Sequence, residues 1–349
     1  LIYTFLQPFF GQSLSGPFYL GYIHRKNQLL YPCLKIYVRL LRPLFCRLII
    51  IDKPELLKQK GPLLLAANHP NSFLDAVILD SLFEQPVWSL ARGDVFKNKF
   101  IARILNAIKI LPVYRVSEGV HNLSSNYETF DDCKKIFREK GLVLIFSEGR
   151  CVNEWHLRSL KKGTARLAIS SWEKGIPVKV LPVCINYNSF RSFGKNLFIR
   201  FGDSIAEKDL PAAASEGARI QAFNNELRQQ LEKGVYKIPQ DDLALQKRLL
   251  ERKPSRLKQV LLAIPAFAGC ILHAPLYQPI RRYTLKKAAH NDHYDSILIA
   301  LLLVSYLPYL LLLSLLLYYF THSLSSFLCL LLVPFSAWSY VQLKPQIDS

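Results

Sequence analysis

The sequence predicts an α/β domain, its sheet flanked by helices, followed by a C-terminal transmembrane helical module, and three observations lead there. Up to about residue 239, short and nearly continuous Leu, Ile and Val runs alternate with segments of helical period. Residues 297–320 form 24 consecutive positions without a charge, enough for a helix to cross a hydrocarbon core of about 30 Å. Half of the 349 residues are hydrophobic, and the surplus gathers after residue 257, whereas most charged and turn-forming stretches precede it.

Taken in order, residues 1–60 read as a membrane-surface helical region. This stretch is apolar and aromatic but broken by Gly11, Gly16, Pro17 and Pro32, and from 36 to 51 it carries Arg39, Arg42 and Arg47 among Leu, Phe and Ile. Such a pattern suits a helix lying on headgroups, and equally a helix packed on the core. The first twenty residues lack the charged start and cleavage site of a signal peptide. Residues 61–239 form the main domain, with strands expected at 63–67, 87–91, 108–114, 142–146, 178–185 and 197–201. Helices are expected at 122–140, 161–174 and 219–233; in the last, Ile220, Phe223, Leu227 and Leu231 share one face. A charged linker, 240–256, leads to the membrane module, 257–349.

Within that module, 297–320, interrupted only by Pro308, and 324–341 read as a transmembrane hairpin joined by a short turn. Arg281, Arg282, Lys286 and Lys287 precede the hairpin and Lys344 follows it, so the positive-inside rule puts the large domain on the cytoplasmic face. Residues 257–280 are apolar but split by Pro265, Gly269 and Pro275 and flanked by basic residues on both sides, which favours a re-entrant or interfacial segment over a third span.

The formal charge of +19 asks for an anionic partner: nucleic acid, lipid headgroups or a phosphorylated small substrate. Membrane-length apolar runs argue against nucleic acid. Seven scattered cysteines, without a Cys-x-x-Cys pair, argue against a disulfide framework and for a reducing compartment. No grouping of His, Cys and carboxylate residues has metal-ligand spacing. The absence of Met from so long a chain suggests recoding or trimming.

The most informative stretch is Asn68-His69-Pro70-Asn71-Ser72-Phe73-Leu74-Asp75, directly after a strand and opening a helix. Strand-to-helix turns at the carboxyl ends of sheet strands are where α/β enzymes place reactive groups. Histidine ordinarily titrates at about 6.5, so a neutral His69 can take the proton from a substrate hydroxyl. Asp75 then holds the imidazole tautomer and stabilises the imidazolium, as the carboxylate does in a Ser-His-Asp triad. The competing reading makes Ser72 and Asp75 a capping box with His69 a satisfied turn residue.

Further along, Ile110-Leu111-Pro112-Val113-Tyr114-Arg115, Phe146-Ser147-Glu148-Gly149-Arg150 with Lys161-Lys162-Gly163, and Leu181-Pro182-Val183 follow in order. Together the four blocks resemble those of the glycerolipid acyltransferases, the family of glycerol-3-phosphate and 1-acylglycerol-3-phosphate acyltransferases. Five residues separate His69 from Asp75 where that family has four, Ser147 replaces a Pro, and Arg150 directly follows Gly149 because the family's Thr is missing. The resemblance covers residues 61 to 190 and implies a mixed sheet of the glycerol-3-phosphate acyltransferase type, with His69 and Asp75 catalytic and with Glu148 and Gly149 positioning the glycerol moiety or phosphate. Asn68, Arg92, Arg115, Arg150, Lys161 and Lys162 complete the candidate substrate-binding set. Guanidinium forks match phosphate oxygens, and cations at a helix N-terminus oppose the macrodipole unless an anion sits there.

The expected activity is transfer of a fatty acyl group from acyl-CoA or acyl carrier protein, as donor substrate, to a hydroxyl of glycerol-3-phosphate or 1-acylglycerol-3-phosphate, with no cofactor. Expected partners are membrane lipids, the acyl donor and the phosphorylated acceptor. The alternatives are a non-catalytic adaptor that binds anionic lipid, and a membrane ester hydrolase; the lack of a Gly-x-Ser-x-Gly elbow argues against the usual serine form of the latter.

Overall fold

The computed structural model describes residues 29–114, 123–211 and 215–347. Seven strands form one sheet: β1 (Cys46–Ile51), β2 (Leu63–Ala67), β3 (Val87–Arg92), β4 (Ile110–Val113), β5 (Leu142–Phe146), β6 (Lys179–Tyr187) and β7 (Lys195–Phe201), in the order β1-β7-β6-β2-β5-β3-β4. Neighbours are parallel except β6 and β7, so the sheet is mixed.

All five residues of β2 are buried, and they divide between two faces as a period of two requires. Leu63, Leu65 and Ala67 pack with α1 (Leu30–Phe45) and α2 (Phe73–Leu82). Leu64 and Ala66 face the opposite layer, built from α4 (Leu123–Arg138), α5 (Lys162–Trp172) and α6 (Glu216–Gly234). Covering on both sides is why β2 reads as an unbroken apolar run. Ser215 caps α6 by accepting the Ala218 N–H, and Ile220, Phe223, Leu227 and Leu231 form its buried stripe as the spacing predicts. Two shorter helices, α3 (Lys99–Ala107) and α7 (Leu243–Leu250), complete the domain.

Of the region 1–60, residues 1–28 lie outside the described residues, and residues 46–51 depart from the helical reading. The helix ends at Phe45, and residues 46–51 become β1, paired in parallel with β7. Arg39 donates to the Ser81 and Phe83 carbonyls, both at 2.9 Å, and Arg42 to the Ser81 carbonyl at 3.3 Å. These carbonyls end α2, where helix geometry leaves acceptors unpaired and the macrodipole is negative, so the two cations tie α1 to the end of α2, as a helix packed on the core requires. Arg47 lies on β1 and donates to Asn196 Oδ1 at 3.0 Å. The outer side of α1 still exposes Leu30, Leu34, Ile36 and Leu40.

Among the described residues, three helices are long and apolar enough to cross a membrane: α8 (Arg256–Lys287), α9 (Tyr294–Thr321), and the segment Leu324–Leu343 that contains α10 (Cys329–Leu343). Of the re-entrant and interfacial expectations, the re-entrant one fails: residues 257–280 lie within one continuous helix despite Pro265, Pro275 and Pro279, the form that an interfacial helix and a span share. Neighbouring helices let such a helix survive its prolines; here α10 comes so close that a Cβ on Gly269 would lie 2.1 Å from the Ser336 carbonyl oxygen. The module is not a separate body. Ile299, Tyr306, Leu310 and Val333 belong to the same buried cluster as β2 and α2.

Candidate active site

Parallel register brings together the ends of three strands. Ala67 at the end of β2 is level with Phe146 at the end of β5 and with Val183 on β6. His69 and Glu148, each two residues past its strand, are therefore neighbours, and Tyr187 at the end of β6 faces the same turn. The His69 ring stacks on Phe146 with centroids 3.7 Å apart and planes 13° from parallel.

His69 Nδ1 lies 2.9 Å from Asp75 Oδ2. The carboxylate is fully buried and held from three sides: Oδ2 also accepts the Asn71 backbone N–H at 2.8 Å, and Oδ1 accepts the Tyr187 hydroxyl at 2.8 Å. Burial, and next the Asp75 charge, push the Tyr187 phenol well above its ordinary value, so it stays a donor. An ionised carboxylate only accepts, which makes Nδ1 the protonated nitrogen and leaves Nε2 as the basic one. The capping-box alternative is overturned: Ser72 makes no side-chain cap, and Asp75 is spent on His69, Asn71 and Tyr187. Ser72 sits at φ 51°, a conformation rare for a residue with a Cβ, and through this turn five intervening residues still deliver the carboxylate to the imidazole.

Glu148 is a clamp. Its Oε2 accepts the His69 backbone N–H and its Oε1 the Arg158 backbone N–H, each at 2.8 Å. Burial raises its pKa above the ordinary carboxylate value, opposed by these two donors. The loop after β5 wraps the His69 turn further, with Val152 donating to the His69 carbonyl at 3.3 Å and Asn153 to the Pro70 carbonyl at 2.8 Å. Gly149 has φ 65°, and a Cβ there would meet Lys161 Cγ at 2.9 Å, so glycine alone suits the position.

Beside Glu148 opens a cavity of about 490 Å³ lined by Arg150, His156, Arg158, Lys161 and Arg228 as well as Glu148 itself. Arg158 is held by Glu154 at 2.7 Å and Arg228 by Glu232 at 3.1 Å. Four cations around one cleft give it a positive lining, whose chemistry suits an anionic group.

Of the residues singled out from the sequence, His69, Asp75, Glu148, Gly149, Arg150 and Lys161 converge here. Asn68 does not face a substrate: its amide donates to the Ile185 carbonyl at 3.0 Å and accepts the Ile185 N–H at 2.7 Å, tying the turn to β6. Arg92 lies at the end of β3, bound to Asp94 Oδ1 at 2.7 Å, and does not line the cavity. Lys162, the first residue of α5, is exposed and also outside the lining. Arg115 falls outside the described residues. Sequence reasoning missed Asn71, Tyr187, Arg158 and Arg228. Arg158 stands close enough to the Glu148-Gly149 block to have been considered, whereas nothing local marks Tyr187 or Arg228.

Residues 49–186 match the acyltransferase family model. No curated protein matches the chain. Among solved structures, the chain is similar to the 1-acyl-sn-glycerophosphate (LPA) acyltransferase PlsC from Thermotoga maritima, at 16% sequence identity over 62% of this chain and 88% of that one, with a TM-score of 0.44.

Proposed function

We propose, for a chain that carries an acyltransferase domain over residues 49–186, that it moves a fatty acyl group from a thioester of coenzyme A or acyl carrier protein to the hydroxyl of a phosphorylated glycerolipid precursor. The observation that carries this reading is the 2.9 Å contact of His69 Nδ1 with a fully buried Asp75. In it, His69 Nε2 removes the proton of the acceptor hydroxyl as that oxygen attacks the thioester carbonyl, and Asp75 stabilises the imidazolium. The tetrahedral intermediate collapses with loss of the thiolate, which takes the proton from His69. No enzyme nucleophile is required, because the acceptor oxygen occupies the serine's place.

The acceptor phosphate lies in the cavity of Arg150, Arg158, Lys161 and Arg228, and the Glu148 carboxylate links the wall of that cavity to the backbone of His69. Glycerol-3-phosphate and 1-acylglycerol-3-phosphate both carry the required anion beside a hydroxyl. Anchoring by the apolar helices keeps the site beside its lipid product, and the basic residues at 281, 282, 286, 287 and 344 support a cytoplasmic face for the domain.

The test is acyl transfer from a labelled acyl-thioester by the purified protein, with each acceptor offered separately and His69→Ala in parallel. Transfer to one acceptor that disappears in the variant is the expected result. No transfer by a folded, lipid-binding protein would favour the adaptor, and free fatty acid released without an acceptor would identify a hydrolase.

A further inference from the structure

The N-terminal turn of α9, the most apolar of the candidate spans, does not face lipid. Tyr294, Asp295, Leu298 and Ile299 are all buried, and the first two turns of this helix lie against the catalytic domain. Three side chains of this region reach the turn that carries His69. Asp295 Oδ2 accepts the Asn71 side-chain N–H at 2.6 Å, Ser296 Oγ accepts the Phe73 backbone N–H at 3.2 Å, and His293 Nδ1 lies 3.1 Å from Ser72 Oγ. Asn71, Ser72 and Phe73 are consecutive, and Ser72 is the residue held at φ 51°. Such a conformation persists only where its surroundings determine it, and α9 supplies them.

Asp295 is also ion-paired with Lys195 of β7 at 2.8 Å, and each side chain is 1% exposed. Lys195 donates in addition to the Ser189 carbonyl at 2.7 Å. A buried pair of this kind is weak evidence for net stability, since desolvation offsets much of the attraction. Its geometry matters more. From Lys195 the contacts run to Asp295 Oδ2, to the Asn71 side chain, and then, through the Asn71 backbone N–H, to the same Asp75 Oδ2 that holds His69.

We infer that Asp295 is a positioning residue for the transfer reaction: as the acceptor for Asn71 it fixes the turn through which Asp75 orients His69, and so makes catalysis conditional on the docking of α9. This rests on the reading of His69 as the base. Asp295 touches no reacting atom, and its effect falls on kcat, because the imidazole is aligned whether or not substrate is bound.

The test compares two double variants of the full chain in lipid nanodiscs. Lys195→Met/Asp295→Asn and Lys195→Met/Asp295→Leu both remove the buried charge pair and share the same branched side-chain skeleton at 295, but only the first keeps an oxygen for Asn71. The expected outcome is a kcat within about threefold of wild type for the Asn double and a kcat lowered roughly 10- to 100-fold for the Leu double at equal KM and at a temperature where both are folded, the Leu double melting lower because the buried Asn71 N–H has lost its acceptor. Equal kcat in two folded doubles would overturn the inference. Should both fail to fold, Asn71→Leu decides: full kcat in that variant overturns it, and a similar loss of kcat upholds it. His69→Ala runs alongside, so that its retained activity would sink the base assignment, whereas an inactive His69→Ala beside equal doubles would sink the role of Asp295 alone.

Discussion

Replacing Asp75 by Asn separates charge from geometry at this site. The His69 Nδ1–H and the Asn71 backbone N–H share Oδ2 of Asp75 at 2.9 and 2.8 Å, and the Tyr187 hydroxyl reaches Oδ1 at 2.8 Å. A backbone N–H cannot accept, so an Asn must turn its oxygen toward Asn71 and His69 and its NH2 toward Tyr187, whose hydroxyl rotates to accept. The imidazole tautomer is retained and only the negative charge is lost. Unit charges about 4 Å apart attract by about 4 kcal/mol at an effective dielectric constant of about 20. That attraction is absent while His69 is neutral and present once it carries the proton, so it acts on the barrier. Asp75→Asn is therefore expected to lower kcat about 1000-fold with little change in KM. The assay is steady-state transfer from an acyl-thioester, with thermal melting as the control for folding. Adding Tyr187→Phe strands the buried NH2 and costs about 1–3 kcal/mol of stability beyond the single variant. Activity within tenfold of wild type in Asp75→Asn, or a loss confined to KM, would refute the assignment of Asp75 as the stabiliser of the imidazolium.

Other consequences are equally open to measurement. Arg150→Ala and Lys161→Ala should each raise KM for a phosphorylated acceptor about tenfold or more, as loss of a charge-assisted contact does, while an acceptor alcohol without phosphate shows no such penalty; equal effects on both acceptors would remove the phosphate from this cavity. Glu148→Gln offers one acceptor oxygen to two backbone N–H groups, so a loss of about 1–3 kcal/mol is expected in chemical unfolding, with a fall in kcat. Because burial raises the folded pKa of Glu148 above its unfolded value, the folded state binds the proton more tightly. The wild type should thus lose stability relative to Glu148→Gln as pH rises from about 4.5 through that raised value, and a constant difference across this window would contradict the shift. Gly269→Ala forces a Cβ against the Ser336 backbone; a lower melting temperature, corresponding to about 1–3 kcal/mol, is expected in detergent, and an unchanged one would deny the close contact of α8 and α10.

The misreadings have a common physical origin. Arg39 and Arg42 on an apolar helix carry the same local pattern whether their partners are headgroups or the terminal carbonyls of α2, and those carbonyls lie about forty positions away in the chain. Residues 46–51 continue the apolar run of α1, and only pairing with β7 makes them a strand. The prolines of residues 257–280 forecast a break that the packing of α10 prevents. Asn68 looked like a ligand for substrate because it precedes His69, but its amide matches the backbone of Ile185 on a neighbouring strand.

By itself, then, the sequence determined whatever depends on local pattern: the buried strands at 63–67 and 142–146, the apolar face of α6, the uncharged stretch 297–320 within α9, and a histidine on a strand-to-helix turn. Each rests on the period of a single element, which the chain carries within a few residues. Tertiary structure alone decided which groups complete the site. Tyr187 comes from β6, Arg228 from α6 and Asp295 from an apolar helix more than two hundred residues beyond Asn71. Their convergence follows from strand order and helix docking, and a buried carboxylate or amide finds its partner by proximity in space, for which no spacing along the chain is a substitute.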